Sequence, residues 1–346
     1  MPRLRRVDCS GPGISRRRAG RGFSYLGPGG RRIRDPETLA RIRALAIPPA
    51  WTDVWICPPP NGHIQATGLD ARGRRQYRYH DAWRVRRDQE KFDHMTEFAR
   101  ALPALRERCA KLLSRRGFGR DRVLAGATRL LDLGFFRIGS EGYAQENASY
   151  GLATMRRTHV TLSGDVVRFD YRAKGGKRKV QSVVDHELVK LIRGLQARDG
   201  GGRELLAYTR RGEWIDVRSG DINAFVKELS GEEFTAKDFR TWSATVLAAV
   251  ALAVSTDAGS RTARNRAVVR AVKEVAHYLG NTPAVCRASY IDPRVIDAYL
   301  GGNTIRPVLE QLGEGADFGH LDTQGPLEAA VLRLLEGASD AGRRAA

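Results

Sequence analysis

The feature that most constrains this chain is a change in the spacing of its apolar residues near Trp83. Between Phe23 and Trp83, apolar and polar residues alternate in short runs bounded by Gly and Pro, which is typical of β-strands. After Trp83, most apolar residues recur at three- and four-residue spacing, which is typical of helices. In a chain of 346 residues, this change predicts two domains, the first rich in strands and the second mainly helical.

The first domain is expected over residues 21–88, and a basic flexible arm over residues 1–20 is expected to precede it. Residues 1–34 carry ten arginines and one aspartate, so the arm can lie along phosphates. Four short runs in this domain are predicted strands: 23–26, 53–57, 63–68 and 76–79.

The second domain is expected over residues 89–346, with an acidic tail from about residue 308. Within residues 159–184, apolar and charged residues alternate around Gly175 and Gly176, which predicts a small antiparallel sheet with a tight turn. The predicted helices lie within residues 84–116 and at 121–133, 185–196, 220–230, 237–254, 262–280 and 327–335. The expected fold class is therefore α+β, with a β-rich N-terminal domain and a larger, mainly α-helical domain that holds the small sheet.

The charge of the chain points to an anionic partner. Lys and Arg number 59 against 39 Asp and Glu, which gives a net charge of +20. A surplus of this size favours nucleic acid first and an acidic membrane second. The longest apolar run, residues 246–254, is too short to span a bilayer. We therefore expect a cytoplasmic protein that binds nucleic acid mostly through the phosphate backbone, with neither a membrane nor a small-molecule substrate.

The sequence predicts no metal site and no cofactor. Its four cysteines and seven histidines lack the spacing of metal ligands, and a GxxxxGK[ST] phosphate loop is absent. The cysteines are expected to be reduced thiols.

Five polar residues lie where structural signals end. Each has an ordinary interpretation as a surface, capping or half-buried side chain, and spacing alone does not single them out. They are Arg137, Lys174, Arg240, Asn281 and Tyr290.

The motifs around these five residues resemble those of type IB DNA topoisomerases of the poxvirus and bacterial kind. Five segments match in the family's order, from residue 70 to residue 290. They read DARGRRQYRY at 70–79, RIGSEGYAQEN at 137–147 with GLAT at 151–154, YRAKG at 171–175, KDFRTW at 237–242, and LGNTP at 279–283 leading to SY at 289–290.

The resemblance implies that Tyr290 attacks a DNA phosphodiester, holds the 3′ end as a phosphotyrosine and releases a 5′ hydroxyl. Arg137 and Arg240 would bind the non-bridging phosphate oxygens, and Lys174 would protonate the leaving oxygen. Asn281 stands where many relatives have His, although bacterial members have Asn. It can donate a hydrogen bond but cannot exchange a proton. Relaxation of supercoiled DNA would then need neither ATP nor metal.

The same resemblance assigns DNA contacts to residues 75–79. Arg75, Gln76, Tyr77 and Tyr79 match positions that touch bases and backbone, and Gln can pair with adenine. The alternative is that Tyr77 and Tyr79 lie on opposite faces of one strand, with one of them in the core. The family also implies a monomer that closes on duplex DNA as a clamp, in the bacterial nucleoid.

Two other functions fit parts of the sequence. A tyrosine recombinase uses similar Arg-Lys-Arg-Tyr chemistry, but its usual HxxR box would place His where this chain has Lys237. A recombinase would also leave a supercoiled circle without a recombination site unchanged. A non-enzymatic basic DNA-binding protein fits the composition, and it would lose nothing on replacement of Tyr290 by Phe.

Overall fold

The computed structural model describes residues 3–255, 260–312 and 321–344. The chain divides into two compact units between Phe92 and Asp93. Residues 1–2 of the predicted arm and residues 313–320 of the predicted acidic tail lie outside the described residues. None of the described helices has the length and apolar character needed to cross a membrane.

The first unit is built on a five-stranded antiparallel sheet with strand order β2-β1-β3-β4-β5. A helix, α1, follows β2, and Asp35 caps it by accepting a hydrogen bond from the Thr38 amide at 2.8 Å. Ile14, Ile42 and Ile56 are buried in the core between helix and sheet. The strands are β1 (Ile14–Ala19), β2 (Gly22–Leu26), β3 (Thr52–Ile56), β4 (Ile64–Leu69) and β5 (Arg75–Tyr79), and α1 is Pro36–Ala44.

The prediction of a flexible arm through residue 20 is wrong for residues 14–19, which form β1. This strand pairs with β2 along its length and places Ile14 opposite Ile56 of β3. Its arginines concealed the strand in the sequence. Arg16 is accommodated because its guanidinium donates to the Pro48 and Trp51 carbonyls and lies over the Phe23 ring.

The second unit is mainly helical, which confirms the predicted α+β class. Helix α2 contains the division between the units, and a three-stranded antiparallel sheet of order β6-β7-β8 and a two-stranded hairpin follow. The helices are α2 (Asp81–Leu113), α3 (Arg120–Gly134), α4 (Glu141–Asn147), α5 (His186–Ala197), α6 (Ser219–Ser230), α7 (Ala236–Ala253), α8 (Arg261–Leu279), α9 (Pro283–Ser289), α10 (Pro293–Leu300), α11 (Arg306–Leu312) and α12 (Leu321–Arg344). The strands are β6 (Val160–Ser163), β7 (Val166–Arg172), β8 (Arg178–Val184), β9 (Ala207–Arg210) and β10 (Glu213–Asp216).

The hairpin β7–β8 turns where the sequence predicts. Gly175 and Gly176 have φ angles of 78° and 73°, in the left-handed region that suits glycine. The two strands stay in register, so Tyr171 lies directly opposite Lys179. Cross-strand partners share a face of the sheet, and both side chains therefore point to the helical side.

Helix α7 lies in the centre of the second unit. Thr235 and Asp238 form a capping box at its N-terminus, which fixes where the helix begins. The many alanines in α7 let neighbouring helices pack closely against it, namely α3, α8, α10 and α12. Twelve of its residues are buried, including Arg240 and Trp242.

A buried ionic network joins α2, α3, α7 and α12. The guanidinium of Arg106 pairs with Asp132 at 2.8 Å and with Glu328 at 2.6 Å, and Glu328 also accepts from the Trp242 indole at 3.0 Å. Burial opposes the charge of Arg106, but Glu328 and Asp132 outweigh burial and raise its pKa. The network therefore attaches the C-terminal helix to the helix that carries Arg240.

Replacing Arg106 by Ala should destabilise the protein by about 3–5 kcal/mol, because Glu328 loses its ion pair and Asp132 keeps only its pair with Arg129. Arg100→Ala is the matched control, since Arg100 also joins α2 to α12, through Glu336, but with both side chains exposed. It should cost less than about 1 kcal/mol. Urea unfolding measures both changes, and equal effects would contradict a structural role for the network.

Candidate active site

The C-terminal end of α8 organises the site. Gly280 takes a left-handed conformation with φ 66° and ends the helix, as the sequence predicts. Its amide donates to the His277 carbonyl at 3.1 Å, and the Asn281 amide donates to the Ala276 carbonyl at 2.9 Å. This Schellman arrangement satisfies two of the terminal carbonyls and leaves those of residues 278–280 for other donors.

Three basic side chains donate to these three successive carbonyls. Lys179 Nζ lies 3.1 Å from the Tyr278 oxygen, Arg240 Nη2 lies 2.9 Å from the Leu279 oxygen, and Arg137 Nη2 lies 3.3 Å from the Gly280 oxygen. The partial negative charge at the C-terminal end of a helix favours cations. The end of α8 thus gathers positive charge directly before Asn281.

Arg137 lies on an irregular segment that two glycines hold in place. A Cβ on Gly151 would lie 2.5 Å from the Gly139 Cα and 2.7 Å from the Arg137 carbonyl oxygen, so no other residue fits there. The Leu152 amide donates to that same Arg137 oxygen at 2.8 Å. The glycines of the motif therefore set the backbone that carries Arg137.

Arg240 is nearly fully buried, with 4% of its surface exposed. Besides the Leu279 carbonyl, it donates to the carbonyl of Phe135, a residue with the unusual φ of 52° that ends α3. Burial, and then the charge of Arg137, lower the pKa of Arg240. Its Nε is buried without a partner in the described residues. Arg240 therefore joins the ends of α3 and α8, and one of its buried N–H groups is unpaired among the described residues.

Asn281 is the direct partner of Arg137. Its Oδ1 accepts from Arg137 Nη2, and its Nδ2 is buried without an acceptor among the described residues. An unsatisfied buried donor is costly unless a ligand supplies the acceptor. Asn281 and Arg240 thus each present an unpaired N–H in the same region.

Tyr290 lies directly after α9, beside Arg240. The Arg240 Cζ is 5.4 Å from the centroid of the Tyr290 ring. The Tyr290 carbonyl oxygen is 3.2 Å from the Thr245 hydroxyl, and that hydroxyl also accepts from the Asp292 amide at 3.2 Å. Thr245 is fully buried on α7, so the helix that carries Arg240 also fixes the backbone of Tyr290.

Lys174 is exposed on the turn between β7 and β8, and it makes no hydrogen bond or ion pair with the described residues. It lines a cleft of about 1020 Å³, and Arg137, Lys179 and Asn281 line the same cleft. The structure therefore brings Arg137, Arg240, Asn281 and Tyr290 together and places Lys174 on the rim.

Lys179 is the residue that sequence reasoning missed. Burial, and then the neighbouring Arg240 and Arg137, lower the pKa of its amino group to about 7. The alternation of residues in the hairpin could have identified Lys179, because its side chain lies on the same buried face of the sheet as Tyr171. The adjacent basic residues 177 and 178 concealed this signal.

The residues proposed to touch DNA in the first unit lie on two faces of β5. Tyr77 and Tyr79 are exposed by 44% and 41%, and their rings stack 5.9 Å apart. The alternative that places them on opposite faces is wrong, because residues two apart in a strand share a face. Gln76 lies on the other face and donates to Asp70 at 2.9 Å, and exposed Arg75 pairs with Asp53.

These elements define a class of protein. A strand-rich unit comes first, and a helical unit follows with two arginines, a hairpin lysine and a tyrosine after a short helix. This order of elements and residues is the one expected from the resemblance to type IB DNA topoisomerases.

The comparisons identify the family. The profile described as "Eukaryotic DNA topoisomerase I, catalytic core" matches residues 80–299, and that of "Bacterial DNA topoisomerase IB, N-terminal domain" matches residues 22–70. DNA topoisomerase 1B of Acanthamoeba polyphaga mimivirus is 31% identical over 297 residues, which cover 83% of this chain and 87% of that protein. The chain belongs to the type IB DNA topoisomerase family, and its enzyme class is that of an isomerase.

Gly151→Ala should destabilise the protein by about 1–3 kcal/mol, because the new methyl group would displace Gly139 and the Arg137 backbone. Gly142→Ala is the control in the same motif. Gly142 lies exposed on α4 with open space at its Cβ position, so alanine should stabilise by about 0.5–1 kcal/mol. Chemical denaturation compares the two, and a neutral Gly151→Ala would refute the close approach.

Proposed function

We propose that this protein relaxes supercoiled duplex DNA by cutting one strand through a 3′-phosphotyrosyl intermediate at Tyr290. The observation that supports this most is the convergence of Arg137, Arg240 and Asn281 at the end of α8, beside the tyrosine. The buried Arg240 Nε and Asn281 Nδ2 have no acceptor among the residues that the structure describes. A DNA phosphate has the oxygens that these donors lack.

In the cutting step, the Tyr290 oxygen bonds to phosphorus as the bond from phosphorus to the 5′ oxygen breaks. The phenolic proton leaves to solvent or a nearby base, and the 5′ oxygen takes a proton to become a hydroxyl. The reverse attack by that hydroxyl reseals the strand. Because the phosphotyrosyl link keeps the energy of the broken bond, resealing requires no ATP.

Negative charge accumulates on the non-bridging oxygens during this attack. Arg137 and Arg240 can stabilise it with charge-assisted hydrogen bonds, and Asn281 adds a neutral one. These donors are held by the backbone before DNA arrives, so little reorganisation is needed. We propose that they make a metal ion unnecessary.

Lys174 is proposed as the general acid that protonates the 5′ oxygen. Its position on a turn with two glycines lets its ammonium move into the cleft from the rim. This role rests on the resemblance and on its place at the cleft.

The proposed DNA contacts of the first unit use its exposed side chains. Tyr77 and Tyr79 offer a stacked pair of rings on β5, and Arg75 offers a cation beside them. Gln76 would have to exchange its Asp70 partner for a base. A monomer that closes on DNA, in the bacterial nucleoid, stays a prediction.

Tyr290→Phe should abolish relaxation of a plasmid that lacks any recombination site, with DNA affinity changed less than about threefold. The phenyl ring keeps the packing but lacks the nucleophile. The assay is run in EDTA, and the parent protein should relax DNA fully there. Denaturation during the reaction should leave DNA attached to the parent at residue 290.

Three results would contradict the proposal: attachment at another residue, relaxation by Tyr290→Phe, or a strict need for Mg²⁺. Inertness of the parent on this plasmid would favour the recombinase. DNA binding without any attachment would favour a non-enzymatic protein.

Lys174→Ala should slow strand cleavage by about 10²–10⁴-fold, the usual contribution of a general acid. A substrate with a bridging sulfur at the 5′ position should restore the rate, because a thiolate leaves without protonation. Lys190→Ala, exposed on α5 and outside the residues that line the cleft, is the control and should cleave both substrates at the parent rate. Single-turnover cleavage measures this, and absence of rescue would remove Lys174 from the role.

A further inference from the structure

Lys179 is held in the site in the same way as Arg137 and Arg240, by a hydrogen bond to a backbone carbonyl. Each of the three cations donates to one carbonyl at the end of α8, and Lys179 and Arg137 also line the same cleft. Among the described residues, one neutral carbonyl, that of Tyr278, accepts the hydrogen bond from Lys179, and no carboxylate pairs with it. A cation held by a backbone carbonyl can exchange it for a stronger acceptor.

We propose that Lys179 is a further phosphate-binding residue of this site, and that its amino group takes up a proton from solvent as DNA enters. The inference rests on the proposed function, since it assigns DNA to the same cleft. The ammonium would leave the Tyr278 carbonyl, or share it, and donate to a phosphate oxygen of the bound strand.

The groups around Lys179 explain why it can change its charge. Arg137 reaches it from the segment after α3, Arg240 from α7, and Tyr171 and Lys174 from the hairpin. His277 and Tyr278 lie at the end of α8 and line the same cleft. Burial and the two arginines hold the pKa of Lys179 at about 7, so near neutral pH much of the free protein carries a neutral amine.

A phosphate changes this balance. Its negative charge favours the ammonium and raises the pKa of Lys179 toward the ordinary lysine value of about 10.4. At pH values between these two pKa values, about 7 and about 10.4, Lys179 carries a proton in the DNA-bound protein that it lacks in the free protein. Binding therefore takes up protons, and affinity falls as pH rises above about 7.

The test compares DNA affinity and proton uptake in full-length chains that carry Tyr290→Phe, so that no strand is cut. The probe is a plain duplex oligonucleotide. Fluorescence anisotropy gives Kd from pH 6.5 to 8.5, and calorimetry in two buffers of different ionisation enthalpy gives the protons taken up. The parent should lose roughly tenfold in affinity over this range and take up about one proton near pH 8.

Two substitutions separate charge from shape. Lys179→Met should bind roughly tenfold more weakly at pH 6.5 and take up about one proton less at pH 8. Lys179→Arg keeps its charge at every pH tested, so its affinity should stay high and nearly constant. Lys190→Met, exposed on α5, is the control and should keep the parent's pH dependence.

Equal proton uptake by the parent and Lys179→Met would overturn the proposal, as would a parent-like loss of affinity in Lys179→Arg. Thermal unfolding shows whether Lys179→Met folds. If it does not fold, the pH dependence of DNA affinity in Lys179→Arg tests the proposal. Attachment of DNA at residue 290 is measured separately with Tyr290 present. If Lys179 does not bind phosphate, DNA attachment at residue 290 is still expected. If attachment is absent, the proposed reaction fails whatever the Lys179 variants show.

Discussion

Three carbonyl groups at the end of helix α8 each accept a hydrogen bond from a basic side chain, and the candidate site depends on these contacts. The cations come from β8, from α7 and from the segment after α3, which are far apart in the sequence. Like charges repel, and the negative end of the helix offsets that repulsion. Gly280 makes the arrangement possible because its left-handed backbone ends the helix and its own carbonyl accepts from Arg137.

The same contacts prepare the site for a phosphate. The donors are fixed by the backbone, yet each carbonyl is a weaker acceptor than a charged phosphate oxygen. Within the described part of the chain, Arg240 and Asn281 each keep one N–H without an acceptor. Through Thr245, α7 also holds the backbone of Tyr290. One helix thereby links the proposed nucleophile to one of the groups proposed to stabilise its transition state.

Much of this was predictable from the sequence. The change of spacing at Trp83 gave the two kinds of unit, and Gly280 marked the end of α8. The roles of the site residues came from resemblance, because a capping Asn281 and a catalytic Asn281 look alike in a single sequence. Strand β1 was missed because its arginines suggested a solvated arm.

The remaining differences have physical causes. Lys179 was missed because its burial and lowered pKa depend on Arg137 and Arg240, which only the folded chain brings to it. The exposed stacking of Tyr77 and Tyr79 follows from simple strand alternation and was open to prediction. The periodicity of a sequence segment shows which face of its own strand or helix a side chain occupies. The charge around that side chain depends on residues from other elements, which only the folded chain brings close.

The proposed phosphate site is best tested by a crystal structure of the Tyr290→Phe protein bound to duplex DNA. One phosphate should place its non-bridging oxygens within about 3 Å of Arg137, Arg240 and the Asn281 amide nitrogen. Arg137 should also loosen its contact with the Gly280 carbonyl. A backbone phosphate bound elsewhere, with Arg137, Arg240 and Lys179 still on the end of α8, would contradict the proposed site.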